Sequence, residues 1–499
     1  MTLAIDITGY NLSTNAVETL HFSDDGFMTS PSDTPANTYY EPRLSAPPHL
    51  TRSLFDTAQA SFGASTSSSP GEIVFENSDG GLDYLTYQYA FDGQPFVVRT
   101  GTIGTPLSTW TIIASGTLSD IQADSATTLS VVINDGQQNL SLTQVRPMYG
   151  GTNVLPNGVD GTPSDLMGQY IPRVYGTVMN VSPKCVNTSL LIYQVSDKSN
   201  CSITQVYDNG VALTAATPYA SLAALEATAP QAGYYGVFQG YFRLGSTPAS
   251  QVTCDATTPG LTTVANILQQ LALDSGFIQQ SGISSSDVSA LNTANSAVVG
   301  IWADGQTTTQ DLMNLVAGSI GAYYTFDKFG SLRMGIIAAP SGSPAYVIDD
   351  TVLEDIQIKQ AGIPSYQVTI NYATNYTVQS QPAGSVAVSR RTWISQASRA
   401  QVATNAAVQT AWPSASTQTL TTALVNQADA ASIASQMLAV FARRLLMTAD
   451  IPLSELGSLD IGSVVGFTYP RYNLPNKLML IVGVDSGADV DKATLTLWG

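Results

Sequence analysis

Apolar positions along this chain keep two periods, and the clearest change from one to the other comes near the C-terminus. From Asn426 to Met447, Ala434, Met437, Leu438, Phe441 and Leu445 fall at helical spacing and form one apolar stripe. Asn426 or Asp429 suits the helix start, and Arg443 and Arg444 lie in the last turn, where the helix dipole favours cations. The period then becomes two. Leu459–Tyr472, Lys477–Val484 and Ala493–Trp498 read as short strands cut by Pro470, Asn473-Leu474-Pro475 and Asp485-Ser486-Gly487. The expectation is one amphipathic helix lying on a small antiparallel sheet. A chain that stops inside a sheet is expected to be pinned by neighbours or buried in an assembly.

Upstream the two-residue period dominates. Residues 1–100 alternate strand-like runs with long joints, and Ser30 to Pro70 is rich in Pro, Ser and Thr. So long a stretch reads as an interaction arm or a lid. Short β-branched and aromatic strands continue to about residue 134, the pattern of a sandwich or barrel. Tyr149–Gly176 is a Gly/Pro connector. A second β unit follows, with Asp208-Asn209-Gly210 as a hairpin turn and a short helix starting at Thr217 or Ser221. Helical spacing returns at Val264, Ile267, Leu268 and Leu271, and again at Leu312, Leu315, Val316 and Ile320. A hairpin with an Asp327–Gly330 turn closes that part. Pro340–Pro344 is a boundary, and a Ser/Thr/Ala/Gln-rich stretch, Val378–Thr422, interrupts the last unit.

Length and charge sharpen this picture. The 499 residues are too many for one core and imply three or four domains. Only 11% are charged, against about 25% in typical soluble domains. Neutral polar residues take their place, which suits a surface buried among copies or neighbours more than a free monomer. A net charge of −18 argues against a protein that grips nucleic acid, since phosphate binding needs clustered Lys and Arg. It is compatible with a conduit along which nucleic acid slides. No signal peptide and no membrane-spanning run are read, so synthesis in a cytoplasm is expected.

Candidate chemistry is sparse. No HExxH, GxSxG, GxxxxGK[ST] or dinucleotide fingerprint occurs. A Ser-His-Asp triad would have to use His21 or His49, and nothing near them in sequence orients a triad. Asp349-Asp350 and Glu354-Asp355 read as solvated turn acids rather than a glycosidase pair. Asp485, Asp489 and Asp491 crowd one turn but lack calcium-loop spacing. Cys185, Cys201 and Cys254 form no local chelate and read as small apolar core residues; a cluster would require a further ligand. Tyr234, Tyr235, Phe238, Tyr241 and Phe242 read first as strand core and second as a stacking platform for sugars or bases. No catalytic, cofactor-binding or metal residue is assigned, and the chain reads as non-enzymatic.

One stretch is more specific. Pro172 to Pro183 has the form Pro-x-x-x-Gly-x-x-x-Asn-Val-x-Pro, followed by Tyr-Gln-Val-Ser-Asp (193–197), Val-Tyr-Asp-Asn-Gly (206–210) and Arg-Leu-Gly-Ser (243–246). Together they resemble the tail hub proteins of long-tailed bacteriophages. Runs near residues 31–44, 71–85, 321–335 and 471–499 extend the likeness over nearly the whole chain. The resemblance implies a mainly β, multidomain fold with α+β parts: tail-tube-like barrel or sandwich domains plus a small helical segment. The expected units are a barrel-like hub domain with its arm (1–150), a connector with a second β domain (151–260), a helical segment with a hairpin (261–345) and a tube-like domain with one helix (346–499). It implies a homotrimeric ring at the baseplate or tail tip. Such a ring contacts the tail tube or distal tail protein, tip or fibre proteins, and the tape measure protein. Phage DNA passes its lumen without specific binding. The rival readings are a receptor- or carbohydrate-binding tail protein and a tail-associated cell-wall hydrolase.

Overall fold

The fold, a computed structural model, is described for residues 2–56, 61–69, 71–123, 125–134, 136–360, 362–442, 445–472, 474–487 and 492–499. It is mainly β, with several sheets and a smaller helical part. No sheet closes into a barrel among the described residues.

The first sheet has Thr2–Asn11 near its centre, between Ala16–Ser23 and Pro95–Gly101. It continues through Thr111–Gln122, Thr128–Ile133, Glu72–Glu76 and Leu44–Ala46. Ile5, Ile7, Phe22, Phe75, Val98 and Val131 fill its core. They sit at alternate positions of their strands, as the pleat requires.

The middle unit is a true sandwich. One sheet runs Val211–Ala212, Ser202–Asp208, Val252–Thr257, Arg173–Val181, Gly300–Ala303. The other runs Lys184–Asn187, Ile192–Gln194, Tyr241–Leu244, Tyr234–Phe238, Thr214–Ala215. Val174, Val178, Val195, Val206, Phe242 and Cys254 are among the residues packed between them. The expected Asn209-Gly210 turn is present, both residues having positive φ (48° and 81°). Ser221 caps the short helix Leu222–Ala227, its hydroxyl accepting from the Ala224 N–H at 3.1 Å.

The helix Val264–Asp274 buries the stripe read from its spacing, and Thr309–Gly318 buries Leu312 and Val316 of its own, with Leu315 half-buried; Ser285–Ala294 adds Val288 and Leu291 to the same core. The long C-terminal helix does exist, as Gln427–Phe441, but its setting differs from expectation. It packs on a three-stranded sheet, Arg399–Thr404, Ser365–Tyr372 and Ser416–Thr421, and shares its core with the other helices. The reason lies in the polar stretch 378–422. It supplies two of those strands and the helices Val388–Ile394 and Ala406–Ala411, so it builds the helix's platform instead of interrupting a domain. The helix also ends earlier than its stripe suggests: Leu445 opens the strand Leu445–Pro452, whose Met447, Ala449 and Ile451 alternate into the last sheet. Arg443 and Arg444 lie outside the described residues. At the helix start the Asn426 side chain donates to Asp429 (3.0 Å) and makes no bond to the helix N–H groups.

The last sheet gathers distant segments. Leu474–Gly487 pairs with Lys492–Trp498, Val464–Tyr469 and, unexpectedly, His49–Asp56. The second half of the stretch read as an arm is therefore a hairpin, His49–Asp56 with Ser61–Ser69, laid between this sheet and Ala322–Phe326. Its anchor is Arg52, only 4% exposed, which donates to Asp460 at 2.7 Å and to the Phe326 carbonyl at 3.1 Å. Phe62 meets Phe55 and Trp498 edge-on. Pro47-Pro48, next to this strand, marks its departure from the first sheet rather than a free loop.

Candidate functional site

The two histidines lie on different sheets, each facing an aspartate on the neighbouring strand. Asp6 and His21 are opposite in register, with His21 Nδ1 2.7 Å from Asp6 Oδ1. The Tyr40 hydroxyl donates to the same oxygen at 2.7 Å, and Arg99 pairs with the other. Burial works to raise the Asp6 pKa. Hydrogen bonds from His21 and Tyr40, with the Arg99 charge, outweigh it and hold the carboxyl below its ordinary value. Burial and the Asp6 carboxylate push the Tyr40 phenol up. His49 pairs with Asp485, which also accepts from Thr51 Oγ1 at 3.0 Å. This bond fastens the hairpin strand to Leu474–Gly487. Asp489 and Asp491 lie outside the described residues.

Cys201 and Cys254 are buried in the sandwich core, and Cys185 is half-buried at its edge; all three are free thiols. Burial raises each, Cys201 to about 12, which disfavours the thiolate that a metal would need. Among the described residues no group of three His, Cys, Asp or Glu side chains could hold a metal ion.

Four residues of the aromatic run are divided between two interiors. Tyr235 and Phe242 enter the sandwich core, where Phe242 stacks on Tyr193 at 5.1 Å. Phe238 and Tyr241 pack instead beneath the connector, against Tyr149, Leu166 and Leu225. Tyr234 belongs to neither interior and is half-buried, as are Phe238 and Tyr241. The paired acids do not converge. Asp349 closes a turn, accepting from the Thr351 N–H and hydroxyl at 2.9 and 2.5 Å, while Asp350, Glu354 and Asp355 are exposed.

Composition gave no hint of two polar junctions that join the units. Arg173, 9% exposed, reaches Asp274 at 3.0 Å and also pairs with Asp197. Asp274 further accepts from Tyr175 (2.8 Å) and Lys198 (2.9 Å). This network ties the sandwich to the end of helix Val264–Asp274. In the second junction, Asn180 donates to Asn375 Oδ1 (2.8 Å) and the Thr377 carbonyl (2.6 Å) and accepts from Arg390 (3.1 Å). The Arg390 guanidinium lies 4.0 Å from the Tyr207 ring centroid. Side chains separated by up to 210 positions meet here, a distance that local spacing cannot reveal. The first network pairs its charges inside the chain, and in the second the Arg390 charge meets an amide oxygen and an aromatic face.

What the surface offers is apolar and neutral. Leu142, Val145, Met148, Val154, Leu155 and Met167 are all exposed on the connector and the segment before it, Val145 and Val154 at 79%. Dense exposed apolar side chains on one segment are characteristic of contact surfaces.

No family model and no curated protein sequence matches this chain. Among solved structures it is similar to a tail protein from Neisseria meningitidis (10% identity, 93% of each chain, TM-score 0.43). It is also similar to a chain in the virion of a gene transfer agent particle (16% identity, 73% of this chain and 92% of the other, TM-score 0.44). A third is prophage tail protein gp18 from Listeria monocytogenes (8% identity, 100% of this chain and 94% of the other, TM-score 0.40).

Proposed function

We propose that the chain is a structural component of a bacteriophage tail. In this reading it is a hub at the baseplate or tail tip that forms a ring closing the distal end of the tube and attaches tip or fibre proteins. The observation that carries it is the phrase Pro172–Pro183 together with the physical need for its fixed residues. Gly176 and Asn180 both have positive φ (76° and 55°), and a Cβ on Gly176 would lie 2.0 Å from the Val299 carbonyl oxygen. The resemblance therefore rests on residues that set the backbone. Support also comes from the low charge, the exposed apolar connector and ion pairs that serve cohesion.

The finer parts of the proposal follow from the resemblance. The chain acts as a homotrimer, with tube-like units within 1–150 and 346–499 joined by the 151–260 and 261–345 units. It contacts the tube or distal tail protein and the tape measure protein, lets DNA pass without specific binding, and performs no reaction. It is made in the host cytoplasm and ends in the virion. Native mass measurement of the purified or assembled ring tests this. Three copies are expected; six would indicate a tube or distal ring protein, and a persistent monomer would overturn the hub. Clearing of peptidoglycan in a zymogram would overturn the non-enzymatic reading. Block of phage adsorption by the isolated chain would replace the hub with a receptor-binding protein.

A further inference from the structure

The three-stranded sheet ends at Arg399–Thr404, which pairs with Ser365–Tyr372 on one side and with no strand on the other among the described residues. The Asn405 N–H donates to the Tyr366 carbonyl. In an antiparallel ladder bonded pairs alternate. The pairs at 403/368, 401/370 and 399/372 are then the bonded ones, and the N–H and C=O groups of Ala400, Val402 and Thr404 point out of the sheet. The Asn371 carbonyl agrees: it is turned the other way and accepts from Thr422.

An outward-facing edge is a template for another strand, and natural sheets blunt such edges with charge, proline, bulges or brevity. Two other edges of the described residues are blunted: Phe27–Met28 has 2 residues, and Asp355–Gln360 opens on the charged Asp355. Arg399–Thr404 keeps an unbroken register over 6 residues, with no proline and one charge at its start. That charge is occupied: Arg399 donates to the Ala373 carbonyl at 2.9 Å and lies 4.0 Å from the Trp393 ring centroid. Beside the edge runs an open groove of about 500 Å³ between Val402–Asn405 and the helix Gln427–Phe441. Its far wall is Ala431, Ser435, Leu438 and Ala439, one face of that helix with three small side chains and one apolar one. An edge with free backbone groups next to a helix face that leaves room for side chains is suited to taking up an extended peptide.

We propose that this groove binds an extended, uncharged segment of a partner protein, which adds as a fourth strand on Arg399–Thr404. Its alternate apolar side chains lie against Ala431, Ser435 and Leu438. The backbone edge specifies a strand rather than a helix, and the small wall specifies side chains of modest size. The inference does not depend on the hub assignment.

The probe is a fluorescein-labelled peptide copying Ser365–Tyr372, the strand that already pairs with this edge, titrated against the full chain by anisotropy. Saturable binding is expected. It should weaken at least about tenfold when alternate peptide nitrogens are methylated, because half the new ladder is lost. Val402→Pro removes an N–H that points to solvent, a place where a sheet edge tolerates proline. Ser435→Phe fills the groove from an exposed helix position. Each is expected to cut binding at least about tenfold with the melting curve unchanged. Slowed amide exchange at Val402 and Thr404 in the bound wild type would place the peptide on the edge. No saturation up to 1 mM peptide, or binding indifferent to methylation and to both substitutions, overturns the proposal. So does concentration-dependent self-association that Val402→Pro abolishes while peptide binding is absent, because a second copy then occupies the edge.

Discussion

At the scale of single residues, the most telling positions are those where the backbone leaves no choice. Gly176 is left-handed and sits against the carbonyl of Val299, at 2.0 Å from where a Cβ would be. Gly233 is equally left-handed, φ +80°, but nothing lies within 4 Å of its hypothetical Cβ. The comparison separates conformational strain from collision. Gly233→Ala should cost about 1 kcal/mol, the left-handed penalty alone. Gly176→Ala should cost about 3 kcal/mol or more, since the strands Arg173–Val181 and Gly300–Ala303 must also part. Denaturant midpoints for the sandwich transition check both; equal costs would remove the steric account of the Pro172–Pro183 phrase. At this scale the sequence was partly legible. The Asn209-Gly210 turn, the Ser221 cap and the apolar helix stripes follow from local chemistry. Arg173 could not be singled out, and Asn180 stands out only within the Pro172–Pro183 phrase and not for its contacts, because their partners Asp274 and Asn375 are brought near only by the fold.

At the scale of elements, the molecule is held together at junctions where one element's charge is completed by another's. The strand Arg173–Val181 and the helix Val264–Asp274 meet through Arg173, Asp274, Tyr175 and Lys198. Burial alone would raise the Asp274 pKa. Hydrogen bonds from Lys198 and Tyr175 and the nearby cations overcome that and leave it below its ordinary value. A carboxyl whose pKa is lower folded than unfolded adds stability above its unfolded value, about 3.9, and that contribution fades as pH falls through the folded value. Asp274→Asn should therefore lower the unfolding midpoint at pH 7, and its deficit should shrink as pH drops below about 4. Urea titrations at neutral and acidic pH read this directly. A deficit that stays constant with pH would mean that Asp274 acts by shape and not by charge. Elements also explain where sequence reading stopped. Periodicity found the helix Gln427–Phe441 but not its platform, because Arg399–Thr404 and Ser416–Thr421 are short, polar and half exposed. The hairpin at 49–69 was hidden for a similar reason. Its serine-rich second strand carries no alternating apolar pattern, and its pairing partner lies more than four hundred residues away.

At the scale of the whole molecule, low charge and a net charge of −18 act in opposite directions on association. Few charges mean little desolvation cost when surfaces such as the exposed connector at 142–167 are buried. Yet every copy is anionic, so copies repel one another over a range set by ionic strength, about 10 Å at 0.1 M salt. Some of the basic groups are already committed inside the chain: Arg52, Arg173 and Arg333 each pair with an aspartate of the same chain. If copies assemble through neutral and apolar contacts, screening should help them. Sedimentation velocity from about 20 to about 300 mM NaCl should then show the oligomeric fraction rising, with the association constant increasing several-fold. Association that weakens over the same range would require complementary ionic patches between copies. In that case the uncharged exterior, on which the assembly reading depends, would not be the surface through which the copies meet.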